Sequence, residues 1–86
     1  MSQEKDSVLK VYGGPGCPDC TRTKRFLDER MVPYTWFDVA TDPVALDFVV
    51  RANNGKRIIP TLLFDDGTTM AEPSNRELAK KLGLEG

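Results

Sequence analysis

The chain has 86 residues, 40% hydrophobic and 29% charged, and its 12 Lys+Arg against 13 Asp+Glu leave a net charge of −1. That balance excludes nucleic-acid binding through a strongly basic face. The complete lack of histidine removes Ser-His-Asp and Cys-His nucleophile pairs, imidazole base chemistry and every His-ligated metal site. The length suits one small soluble domain, residues 1–86, with a modest core.

Residues 1–10 (MSQEKDSVLK) are polar and carry no apolar h-region, and no apolar run approaches the length of a membrane span. A cytoplasmic protein without membrane association is expected. Ser7 to Tyr12 then places Val8, Leu9, Val11 and Tyr12 in a short strand, ended by Gly13-Gly14-Pro15-Gly16. From about Pro18 to Arg30 the apolar Phe26, Leu27 and Met31 recur at helical spacing among charges. Pro18 suits the first helical position, where its missing N–H costs nothing. Met31 and Met70 read as core fillers, and the basic run Arg22 to Arg25 reads as a solvated helix face.

Pro33 closes the helical region, and Tyr34 to Val39 (YTWFDV) reads as a second strand. Trp36 and Tyr34 belong there as edge packing, since no basic groove accompanies them as a base-stacking platform needs. Thr41-Asp42-Pro43 is a helix start with Thr41 or Asp42 as N-cap, and Asn53-Asn54-Gly55 stops that helix. Thr61 to Phe64 forms a third strand, Asp66-Gly67 a hairpin turn, and Thr68 to Met70 a fourth strand. Ser74-Asn75-Arg76-Glu77 is a capping box for a last helix, and Gly83 suits its left-handed end. The order β-α-β-α-β-β-α predicts an α/β domain with a mixed four-stranded sheet flanked by three helices, its first βαβ unit parallel and right-handed.

The two cysteines stand in Cys17-Pro18-Asp19-Cys20. Random placement would set two cysteines three apart only about 2% of the time, so the spacing carries information. Two are too few for a secreted disulfide scaffold, and a persistent pair in a reducing compartment points to reactivity. Cys17 falls at the N-terminus of the first helix, where free N–H groups and the macrodipole favour a thiolate and lower its pKa from about 8.5. Cys20, one turn on, faces back beneath it. An exposed attacking thiol and a sheltered resolving one are what two-step disulfide exchange requires. Asp19 opposes the thiolate; Arg22, Lys24 and Arg25 favour it, weakened by solvent screening.

Other readings of the pair stand beside that one. A four-ligand zinc site lacks a second pair and any histidine. Two chains sharing an iron–sulfur cluster through Cys17, or two inert core cysteines, remain open alternatives. Pro60 after Ile58-Ile59 is either a trans turn proline or a cis one. A cis bond would leave the Ile59 backbone able to hydrogen-bond an incoming peptide or thiol.

The element order, Cys17-Pro18-Asp19-Cys20 after the first strand and Ile59-Pro60-Thr61 before the third resemble a glutaredoxin of the thioredoxin-like fold, over about Val8 to Leu82. The stretch Phe48 to Leu78, with Asn54-Gly55-Lys56-Arg57, Pro60-Thr61, Phe64, Asp66-Gly67 and Pro73-Ser74, is most similar to the mycoredoxin-type branch. Redoxins that donate electrons to ribonucleotide reductase are similar in size and layout. The resemblance implies a thiol–disulfide oxidoreductase with Cys17 as nucleophile and Cys20 as resolving thiol. It implies a cis Pro60, with Ile59 presenting backbone to substrate, Tyr12 as the aromatic flanking the loop and Arg57 near a carboxylate of a bound thiol.

Its expected substrates are protein disulfides or protein–small-thiol mixed disulfides, handled by a monomer without metal or prosthetic group. This sequence departs from the family at three places. Gly14 stands where glutaredoxins carry a lysine, Glu72-Pro73-Ser74-Asn75 replaces their Gly-Gly-x-Asp, and Asp19 replaces the usual Tyr, Phe or Gly. Glutathione, mycothiol, another small thiol or a flavoprotein reductase all fit as the reductant.

Overall fold

The computed structural model describes residues 9–84. Alternation along its first strand assigns both faces of the sheet. Strand β1 (Leu9–Gly13) turns Leu9 and Val11 to one face and Tyr12 to the other, as the period-two pleat dictates. The expected start of this strand at Ser7 and Val8 lies outside the described residues. Helix α1 (Pro18–Glu29), β2 (Tyr34–Asp38), α2 (Pro43–Ala52), β3 (Thr61–Leu63), β4 (Thr69–Ala71) and α3 (Asn75–Leu82) follow in the predicted order.

The sheet order is β2-β1-β3-β4. β1 runs parallel to β2 and antiparallel to β3, and β3 is antiparallel to β4. Leu9 and Val11 pack with Leu62 and Phe64 of the sheet side, Phe26 and Leu27 of α1, and Leu78 of α3. Tyr12 and Val39 pack with Ala45 and Val49 of α2 on the opposite face. Burial of such side chains stabilises by about 1.5–3 kcal/mol each, which anchors three helices to one thin sheet.

Each helix begins where its cap chemistry says. Asp42, not Thr41, caps α2, its Oδ1 accepting from the Val44 and Ala45 N–H groups at 3.0 and 3.2 Å. The Ser74 box is complete: Oγ accepts from Glu77 N at 3.0 Å and the Glu77 carboxylate accepts from Ser74 N at 2.8 Å. Gly83 ends α3 in the left-handed region at φ 72°.

Met31 departs from the expectation of a core filler: it is 87% exposed. The helix has already stopped at Arg30, and Met31 takes φ 58° in the turn that follows. The helical spacing that would return it to the core therefore no longer applies, and Val32 packs against the core in its stead. Met70, by contrast, does pack against that core.

Candidate active site

The C-terminal end of β1 delivers the chain into Gly14-Pro15-Gly16 and then into α1. Cys17 is the N-cap of α1, with extended backbone at φ −107° and ψ 105°. Its Sγ accepts the N–H of Cys20 at 3.1 Å, taking the place that a serine or aspartate oxygen occupies in an ordinary cap. Pro18 at the first helical position leaves no donor there to compete. Cys17 and Cys20 are joined as a disulfide, with Cα atoms 5.2 Å apart. Cys17 is half-buried, whereas Cys20 is only 2% exposed. The two sulfurs thus differ sharply in access.

Room for the inner sulfur comes from Gly13. This residue closes the Leu9-Val11-Gly13 row that faces α1, so a side chain here would point at the helix. A Cβ at Gly13 would stand 2.7 Å from Cys20 Sγ and 2.5 Å from Cη2 of Trp36. Gly13 read as loop in the sequence, although the alternation of Leu9 and Val11 already carried the signal. Trp36 stands on β2 opposite Val11, and the Lys24 ammonium lies 4.0 Å from the centre of its ring. A concavity of about 280 Å³ beside Cys20 is bounded by Trp36, Lys24, Thr21, Asp38 and the Gly14–Gly16 loop.

The segment before β3 flanks the outer sulfur. The Ile59–Pro60 peptide bond is cis, and the Ile59 carbonyl oxygen lies 4.0 Å from Cys17 Sγ. Two anchors fix this segment. Glu72 N donates to the Pro60 carbonyl at 2.8 Å. Asn53 Nδ2, at the end of α2, donates both to the Val49 carbonyl at 2.8 Å and to Thr61 Oγ1 at 3.1 Å. Thr61 Oγ1, wholly buried, donates in turn to the Ile58 carbonyl at 2.6 Å. Asn53 read only as a helix stop; the bond to Thr61 depends on how α2 packs, which local sequence does not reveal.

Of the residues expected to bind substrate, Ile59 is the one whose carbonyl faces Cys17, and Pro60 follows it through the cis bond. Arg57 is exposed, and its guanidinium lies 3.8 Å from where a Cβ on Gly14 would stand. Tyr12 sits differently. Its ring, 7% exposed, is stacked between Phe37 and Phe48 at centroid distances of 4.9 and 4.7 Å. Burial, and secondarily the charge of Asp42, hold its phenol above the ordinary tyrosine range.

Arg22 departs from the expectation of a solvated helix face. Its Nη1 donates to Asn75 Oδ1 at 2.7 Å and its Nη2 to the Pro73 carbonyl at 3.0 Å. The same Nη2 stands 3.6 Å from Asp19 Oδ1. The turn into α3 packs beside α1, and a forked guanidinium can satisfy several acceptors at once. Nothing local to residues 22–25 announces this.

Among the described residues no three His, Cys, Asp or Glu side chains cluster to hold a metal. No described helix is long and apolar enough to cross a membrane.

Comparison with known proteins agrees with this geometry. The glutaredoxin family model matches residues 9–68. A Mycobacterium tuberculosis protein named as a glutaredoxin is 34% identical over 76 residues, 88% of this chain and 90% of its own. Mycoredoxin 1 of Corynebacterium glutamicum is 33% identical over 76 residues, covering 88% of this chain and 94% of its own. The crystal structure of a mutant of the thioredoxin-like protein BC3987 superposes with TM-score 0.79 at 30% identity, over 90% of this chain and 96% of that one.

Proposed function

The chain belongs to the glutaredoxin family of thiol–disulfide oxidoreductases, and from that premise we propose that it reduces protein disulfides and protein–small-thiol mixed disulfides with Cys17 and Cys20. The observation that carries the assignment of roles is the asymmetry of the pair. Cys17 sits half-buried at the helix N-cap with an N–H directed at its sulfur, and Cys20 is 2% exposed beneath it.

In the reduced protein the Cys17 thiolate attacks one sulfur of a substrate disulfide. A bond forms from Cys17 Sγ to that sulfur, and the other substrate thiolate leaves and takes a proton from water. The Cys20 thiolate then attacks Cys17 Sγ, releasing the second substrate thiol and closing the Cys17–Cys20 disulfide. The substrate gains two electrons and the protein loses two. Two equivalents of a small thiol such as glutathione or mycothiol, or a flavoprotein reductase, return the pair to the dithiol. Cys17 alone suffices where the substrate is a mixed disulfide with a small thiol.

Ile59 and Pro60 supply the wall against which a substrate backbone aligns, and Arg57 supplies a cation for a carboxylate of the thiol. Tyr12 supports that wall from the core. Exposing Cys20→Ser protein to an extract of its source cells and weighing the adducts tests the reading. Adducts on Cys17 carrying the mass of a small thiol or a protein are expected. An unmodified Cys17, or undiminished disulfide reduction by Cys17→Ser, overturns it.

A further inference from the structure

Arg22 joins two parts of the chain that lie more than fifty residues apart, at the edge of the cysteine pair. On one side it meets Asp19, two residues beyond Cys17, at 3.6 Å. On the other it is fastened to the turn into α3 by Asn75 Oδ1 at 2.7 Å and the Pro73 carbonyl at 3.0 Å. Pro73 is buried and Ser74 is held by its completed capping box, so this turn is a rigid support.

We propose that Arg22 is a positioning residue for thiol exchange, which draws the Asp19 carboxylate along α1 toward α3 and away from the sulfur of Cys17. The proposal rests on Cys17 being the attacking thiol. The helix N-terminus is the strongest local attraction for an anion. A free carboxylate at the second helical position would compete with the sulfur for it and would oppose the thiolate by charge. The Arg22 guanidinium, fixed from α3, stands 3.6 Å from the Asp19 carboxylate and offers it a partner other than the helix N-terminus. The Cys20 N–H then remains with Cys17 Sγ at 3.1 Å.

Other charges surround the pair as well. Lys24 on α1 lies over Trp36, Asp38 ends β2, and Arg57 precedes β3 near Gly14. Asp38 Oδ1 already accepts from Ala40 N at 2.8 Å. None of these groups depends on Asn75. A neutral change at Asn75 therefore reports on the anchor alone.

The test is the rate of Cys17 alkylation by iodoacetamide in the reduced full chain across pH 5–9, with the labelled cysteine mapped by mass. The variants are Arg22→Ala, Asn75→Ala and Asp19→Asn, together with the two combinations carrying Asp19→Asn. Arg22→Ala is expected to slow labelling at pH 7 about two- to threefold, with the titration midpoint moved upward. Asn75→Ala, which removes no charge, is expected to slow it in the same direction by a smaller factor. Both losses are expected to shrink by at least about half once Asp19 is Asn, because the group being positioned is gone.

Equal losses with and without Asp19, or an Asn75→Ala protein indistinguishable from the parent, would overturn the anchor. Labelling of Cys20 ahead of Cys17 would overturn the assignment of the nucleophile instead, and the mass map separates the two. Asn75 is exposed at the first turn of α3, so its variant keeps the measurement available should Arg22→Ala fail to fold.

Discussion

Gly13 and Cys20 share a space that one methyl group would fill: a Cβ on Gly13 would stand 2.7 Å from Cys20 Sγ. The indole of Trp36 closes the same space from the other side at 2.5 Å. Neither neighbour can retreat cheaply, since Cys20 is held by the helix turn and Trp36 by the sheet. Gly13→Ala is expected to cost about 1–3 kcal/mol of stability through overpacking. It should also change the indole fluorescence difference between oxidised and reduced protein. A thermal melt unchanged from the parent would show that the space is not filled as described.

The Asn53 side chain reaches the loop carrying Ile59 and Pro60 through Thr61, whose side chain is wholly buried. Asn53→Ala leaves the Thr61 hydroxyl with one partner fewer, at an expected cost of about 1–2 kcal/mol. Because the same loop faces Cys17, turnover with a disulfide substrate should fall more than the loss of folded protein accounts for. Denaturant unfolding and activity on the same samples separate the two effects, and parental values for both would sink the idea.

Lys81 and Thr68 hold the Asp66 carboxyl well below the ordinary carboxylate range, the Lys81 hydrogen bond being the largest cause and those from Thr68 following. The Lys81 ammonium lies 2.8 Å from Oδ2, pinning the hairpin turn between β3 and β4 to α3. A depressed folded value means that the stabilisation is complete above the unfolded value near 3.8 and is lost as pH falls toward the folded one. The difference in melting temperature between parent and Asp66→Asn is therefore expected to be constant from neutral pH down to about pH 5 and to shrink below about pH 4. A difference that holds unchanged at pH 2 would contradict this.

Arg57 stands exposed beside Gly14, where glutaredoxins place a lysine. Arg57→Gln is expected to raise KM about two- to fivefold for thiols or mixed disulfides bearing carboxylates, with kcat little changed, since an exposed charge contributes modestly. The effect should fade as salt is added. An equal rise in KM for an uncharged disulfide would point to shape instead of charge.

The local chemistry of the sequence determined the element order, the three helix starts and the cysteine pair at a helix N-cap. Period-two and helical spacing, proline at a first turn and Ser74 with Glu77 are all read over a few neighbouring residues. The family resemblance added a cis Pro60, which the residues alone left open and the structure contains. Only the tertiary structure decided what Gly13, Asn53 and Arg22 do. Gly13 clears space for a sulfur and an indole brought by two other elements, Asn53 ties α2 to the loop before β3, and Arg22 ties α1 to the turn into α3. Those contacts exist only once the layers are packed. A spacing of 53 residues between Arg22 and Asn75 leaves no local periodicity from which to read them.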